Sequence, residues 1–117
     1  MPRNMSFFHT QEQVRERRKD VTRRLGKGWR KLKPGDRFWA IVKGQGLRKG
    51  EHVERICLLE CVSNRVERLD WIMPGDVARE GFPDNSPAWF VAMFCRSMGC
   101  RPNAEVNRIE FKYVEAD

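Results

Sequence analysis

The segment that most restricts the fold runs from Arg37 to Lys43. Phe38, Ala40 and Val42 lie on one side of an extended chain there, and Trp39 and Ile41 on the other. Apolar residues on both faces need cover on both, as in a small closed barrel. The turn signal Lys33-Pro34-Gly35-Asp36 sets the start of this strand. A long strand is predicted from His52 to Ser63, with Arg65 to Asp70 continuing the sheet after a bend at Asn64. The final strand, about Glu105 to Val114, alternates: Ile109, Phe111 and Tyr113 are expected inside, and Arg108, Glu110 and Lys112 outside.

Helical signals flank these strands. Ser6 to His9 reads as a short first strand. Thr10 followed by Gln13 has the spacing of a capping box for a helix from Gln11 to about Arg18, anchored by Val14. Asp20 to Leu25 is expected to be extended. Met73-Pro74-Gly75-Asp76 is a second Pro-Gly turn, and Val77 to Glu80 a helical turn closed by Gly81. Ser86 as N-cap and Pro87 at the first position open a helix that Gly99 ends, with Trp89, Phe90, Met93 and Phe94 as its apolar stripe. The expected architecture is therefore α+β: a small β-barrel with flanking helices. It forms a single domain over 1–117, with a core of about 6–113.

Charge is unevenly spread. Arg15 to Arg37 holds eleven Lys and Arg against three acids, so this stretch alone exceeds the net charge of +7 of the whole chain. Such a stretch suits a polyanion such as nucleic acid, or is a solvated face without a partner. No apolar run approaches the roughly 20 residues that span a bilayer, and MPRNMSFFHT lacks the apolar region of a signal peptide. A soluble cytoplasmic protein with no membrane partner is expected.

Few constellations carry chemistry. His9 and His52 are isolated, so a histidine triad or histidine-rich metal site has little support. Cys57 and Cys61 on a strand sit roughly 13 Å apart, too far to share zinc. Cys95 and Cys100 bracket a helix end without a usual zinc spacing. Free thiols, no metal and no cofactor are expected. Gly44-x-Gly46-x-x-x-Gly50 matches neither dinucleotide nor P-loop spacing and reads as a hairpin loop. Lys19 and Thr22, three residues apart, are a base–nucleophile candidate if Lys19 is neutral; neighbouring arginines would lower its pKa. They are equally ordinary residues of a basic strand. Glu80, beside Gly81, either projects into a cleft or makes a local hydrogen bond. Of the four tryptophans, Trp29 is the best candidate for stacking a base.

The order of Phe7-Phe8, a short helix, Arg18-Lys19-x-x-Thr22-x-Arg24, Lys33-Pro34-Gly35-Asp36, Ala78-Arg79-Glu80-Gly81-Phe82 and a closing Val106 to Phe111 strand resembles the ASCH domain. The resemblance covers about Ser6 to Tyr113 and extends to ASCH proteins of phages and prophages. It implies a PUA-like barrel with a cleft beside the N-terminal helix, and a role linked to RNA. Some small bacterial members hydrolyse N4-acetylcytidine with a Lys, a Thr three residues on and a Glu in a later loop. These positions fall on Lys19, Thr22 and Glu80, and Arg24 matches a family arginine. Where the family usually has a Gly before the Lys, this chain has Arg17-Arg18, and its basic charge favours a longer RNA.

The resemblance thus implies an amidohydrolase of N4-acetylcytidine-like substrates, in which Lys19 activates Thr22, Glu80 assists and Arg24 holds the oxyanion. A non-catalytic RNA-binding module is the alternative, with Arg15, Arg18, Arg23, Arg24 and Lys27 on phosphates and Trp29 on a base. A ribonuclease using the same cleft is a third. The expected partner in every case is RNA or a modified nucleoside.

Overall fold

The computed structural model describes residues 2–44 and 50–115. The strands are β1 (Arg3–Ser6), β2 (Val21–Arg24), β3 (Arg37–Ile41), β4 (Arg55–Arg68) and β5 (Glu105–Tyr113). The helices are α1 (Gln11–Arg15), α2 (Pro74–Arg79) and α3 (Pro87–Met98). One mixed sheet runs in the order β1-β3-β4-β5-β2. Among the described residues only the β1–β3 pairing is parallel. The sheet curls into a half barrel. Among the described residues it does not close: β1 and β2 are its two edges, and no ladder joins them.

Two apolar clusters lie on the two faces of the curl. Inside, Met5, Phe7, Val14, Phe38, Leu59, Ile109 and Phe111 pack together. The ring centroids of Phe7 and Phe38 lie 5.9 and 6.1 Å from that of Phe111, in edge-on contact. Outside, Leu69, Ile72, Val77, Phe90, Phe94 and Val106 hold α2 and α3 to the sheet. The inner cluster covers one face of β3, where Phe38 and Ala40 are fully buried. On the other face the outer cluster does not reach β3, and Trp39 is only partly buried, with the Arg55 guanidinium 4.4 Å from its ring centroid.

The helix α3 follows its signals. The Ser86 hydroxyl accepts from the Trp89 amide at 3.1 Å, and Gly99 ends the helix at φ +67°. Several expectations at the N-terminus need correction. The first strand is β1, Arg3–Ser6, and Phe8–Thr10 is a 3-10 turn. Thr10 makes no side-chain cap. Gln13 reaches instead to the Gly81 carbonyl, 68 residues on. The helix α1 stops at Arg15 because Arg17 takes a left-handed φ of +57°, turning the chain where the family pattern has a Gly. An ion pair with Glu115, and the Tyr113 ring 5.3 Å from its guanidinium, hold Arg17 there.

The sheet bends at Cys61–Ser63, where the β4–β5 register shifts, rather than at Asn64. The Asn64 amide instead donates to the carbonyls of Trp29 and Leu32 at 2.8 and 2.9 Å, pinning the basic segment to β4. Most of the expected Gly44 to Gly50 loop lies outside the described residues. Among the described residues, no helix is long and apolar enough to cross a membrane.

Candidate active site

The open seam of the sheet holds the candidate site. Lys19 enters it from the turn between α1 and β2. Its backbone is fixed by the Tyr113 hydroxyl, which donates to the Lys19 carbonyl at 2.6 Å. The next residue, Asp20, is tied by its amide to Arg79 and by its carbonyl to the amide of Phe111. The Lys19 side chain is 2% exposed. Its Nζ donates to Glu80 Oε1 at 2.7 Å and to the Glu80 carbonyl at 2.8 Å. Burial lowers the Lys19 pKa from its ordinary 10.5. The Glu80 carboxylate opposes this, and Arg24 and Arg23 add to it. Loss of solvation is thus the larger cause, and the like-charge repulsion expected from the sequence is secondary.

Glu80 caps the C-terminus of α2, its amide bonded to the Asp76 carbonyl. Gly81 presents it: at φ +105° it takes a backbone shape that favours glycine, and a Cβ there would lie 2.7 Å from Gln13 Cγ. The helix α1 therefore packs directly on the glycine, and Glu80 is aimed inward. Its second oxygen, Oε2, accepts from Arg23 Nη1 at 3.0 Å.

Thr22 and Arg24 alternate with Arg23 along β2. Thr22 is buried, and its hydroxyl accepts from Arg24 Nε at 3.2 Å. Among the described residues no hydrogen bond joins Lys19 to Thr22; the amine is turned to Glu80. The Arg24 guanidinium lies 4.8 Å from the centroid of the Phe7 ring, bridging the seam from β2 to the end of β1. Burial lowers its pKa to about 10, with Glu80 opposing. Among the described residues no carboxylate forms a salt bridge with it.

Arg23 was expected to contact phosphates; its side chain is wholly buried. It binds Glu67 at 2.9 Å, Asp76 at 2.7 Å and Glu80 at 3.0 Å, while its Nε has no partner among the described residues. Burial opposes its charge, but Glu80, Asp76 and Glu67 together raise its pKa. Arg108, expected outside, is also buried and makes two hydrogen bonds to Asp76. Those bonds, with Arg23, hold the Asp76 carboxyl far below its ordinary 3.8. Lys19, Arg23 and Arg108 are thus matched by Glu67, Asp76 and Glu80, and Arg24 supplies the excess positive charge.

Above this floor lies a cleft of about 440 Å³. Lys19, Thr22, Arg23, Arg24 and Glu80 line its base. Phe7, Phe8 and His9 form one wall, and Met93, Phe94, Ser97 and Met98 of α3 form the other. The apolar stripe of α3 was legible, but the sequence does not say that one edge of it faces a cleft. Asp76 was read only as a turn residue. Nothing in the alternation of β5 marks Arg108 as internal.

The remaining candidates lie elsewhere. Arg18 is exposed, pairs with Glu16 and lines a depression on the outer side of the same turn, with Arg17, Asp20 and Arg79. Lys27 is exposed and outside the cleft. Trp29 is half-buried against the inner cluster, with the Arg3 guanidinium 3.7 Å over its ring. One face of the presumed stacking ring is therefore already taken. Trp71, at 64% exposure, is the freer tryptophan.

No family model matches the sequence, and no curated protein matches it significantly. Among solved structures, a protein of Enterococcus faecalis V583 assigned to family DUF984 superposes with a TM-score of 0.70 at 14% identity, over 97% of this chain and 80% of that one. The ASCH domain of a Lactobacillus crispatus protein superposes with a TM-score of 0.58 at 18% identity, over 90% of this chain and 70% of that one. The α+β half barrel built here is an ASCH-like fold, as the sequence resemblance implied.

Proposed function

We propose that the cleft binds a modified nucleoside and hydrolyses its exocyclic N-acyl amide, with N4-acetylcytidine as the reference substrate. One observation carries this reading. A buried lysine of lowered pKa, a threonine hydroxyl and an arginine with no salt bridge among the described residues line one cleft. Its volume is within the roughly 300–1,000 Å³ typical of small-molecule sites.

The steps follow from the side chains. Lys19 acts as its free amine, the form that burial favours, with Glu80 orienting it through their 2.7 Å hydrogen bond. Turned to Thr22, it takes the hydroxyl proton as the oxygen attacks the acyl carbon. Arg24, already bonded to the Thr22 oxygen through Nε, offers its Nη groups to the developing oxyanion. Lys19 then returns a proton to the leaving nitrogen. Water attacks the resulting Thr22 ester with Lys19 again as base, releasing the carboxylic acid and restoring the hydroxyl. The walls at Phe8 and Met98 suit the planar base.

The test is acetate and cytidine release from N4-acetylcytidine. Lys19→Ala is expected to lose at least about 100-fold in turnover while staying folded. Near-normal turnover in that variant overturns the mechanism. Intact labelled RNA after long incubation separates this activity from RNA cleavage.

A non-catalytic RNA-binding reading has its own support. Arg15, Arg17, Arg18 and Arg37 are paired with acids, and Lys19 and Arg23 are buried in pairs. Lys27, Arg30, Lys31 and Lys33 remain exposed, with no carboxylate partner among the described residues. That segment would contact phosphates. Lys27→Ala is then expected to weaken RNA binding and reduce its salt dependence by about one counterion. Unchanged binding at low salt counts against it.

A further inference from the structure

We propose that Cys95 and Cys100 are a reversible dithiol–disulfide site at the end of α3. The helix cap creates the pair. Gly99, at φ +67°, turns the chain back, so that the Cys95 carbonyl accepts from the amides of Gly99 at 2.8 Å and Cys100 at 3.3 Å. This is the helix ending that brings two side chains five residues apart into contact, usually as an apolar pair. Here both are free thiols, half-buried, with their sulfurs 4.0 Å apart. A disulfide needs about 2 Å, a gap that side-chain rotation closes while the two backbones stay hydrogen-bonded. Cys57 and Cys61 have no such turn: they stand on one strand, β4.

The oxidant is a small-molecule disulfide such as glutathione disulfide. One cysteine thiolate attacks it, forms a mixed disulfide and expels one glutathione thiolate. The second cysteine attacks the protein sulfur of that bond and expels the other. The protein gives up two protons and two electrons, and glutathione disulfide becomes two glutathione thiols. Burial raises the Cys100 thiol pKa, so exchange is expected to be slow at neutral pH and to speed up as pH rises. The ring formed encloses Ser97 and Met98, two residues of the cleft wall. Oxidation therefore clamps that wall.

The test needs no substrate. The protein is incubated with glutathione disulfide, blocked and digested with trypsin, which cuts after Arg96 and leaves the two cysteines on separate peptides. The expected product is one species in which those peptides are joined, reverting with reductant. Its Tm should rise by about 5 °C, with slower amide exchange across residues 96–100. Cys95→Ser should stop at a glutathione adduct on Cys100. Two unreacted thiols, or stable separate adducts on both cysteines of the wild type, overturn the proposal.

Discussion

Arg23 and Arg24 are neighbours on one strand, and the two regions they serve differ in how charge is settled. Behind β2, Arg23 is enclosed by Glu67, Asp76 and Glu80, and Arg108 completes the balance. In front, Arg24 stacks on Phe7 and donates to Thr22, and among the described residues no carboxylate forms a salt bridge with it. The back is closely charge-matched, with Arg23 Nε as its one unpartnered buried side-chain atom among the described residues, and the front carries an arginine free to meet an anion or a polarised oxygen. Lys19 and Glu80 stand between the two. Glu80 offers one oxygen to each side, so the rigidity of the rear network positions the amine at the front.

Substitutions that break one region and spare the other sharpen this contrast. The largest effect belongs to Arg23→Ala, which leaves buried carboxylates facing one another. A loss of about 3–5 kcal/mol in urea unfolding is expected. A loss under about 1 kcal/mol would mean the network is not holding the fold. Arg24→Gln should do the reverse: stability within about 1 kcal/mol of wild type, and turnover or nucleoside affinity reduced about 10- to 100-fold. Equal damage to stability by both would erase the distinction.

The smallest effects are in pH. Asp76 has its folded pKa depressed by Arg108 and Arg23, so its contribution to stability is present above about pH 4 and disappears as pH falls through the folded value. Lys19 also titrates below its ordinary 10.5, but as a base. Between its folded value and 10.5 the unfolded chain binds more protons, so stability should rise with pH across that window. Turnover should rise with the same deprotonation, with a midpoint below 10.5. The Arg23 network predicts the acid limb of unfolding, and Lys19 the alkaline rise in rate; titration of both in one Lys19→Met variant separates them. The acid limb should persist in that variant and the alkaline rise should vanish.

Much of the fold was legible because local signals agreed with it. Ser86, Pro87 and Gly99 bound α3, and Phe38 and Ala40 marked the face of β3 that meets the inner core. Lys19, Thr22 and Glu80 were singled out by resemblance, and the structure brings them to one cleft. The rear network was not legible. Alternation along β5 marks Arg108 as outward, which is correct for the side of the strand it occupies. That side, however, is covered by α2, and an arginine facing Asp76 satisfies the cover as well as an apolar residue would. Trp29 was misread for a related reason: Gly and Lys on either side suggest exposure, yet Asn64 and Arg3 fasten the segment down. Gln13 was read as a local cap, whereas its partner is Gly81, in a loop that no window around residue 13 contains.

The strand order has a consequence for how the molecule comes into being. The strand β2, which bears Thr22, Arg23 and Arg24, pairs among the described residues only with β5. It is made early and must wait for a partner more than 80 residues later. A nascent chain halted before Glu105 has β1, β3 and β4 available for pairing but no strand to receive β2. The early basic segment then remains outside the sheet, and its buried ion pairs to Asp76 and Glu80 have no frame to close on. The cleft thus takes shape only after β5 has been made, although most of its lining residues are made long before.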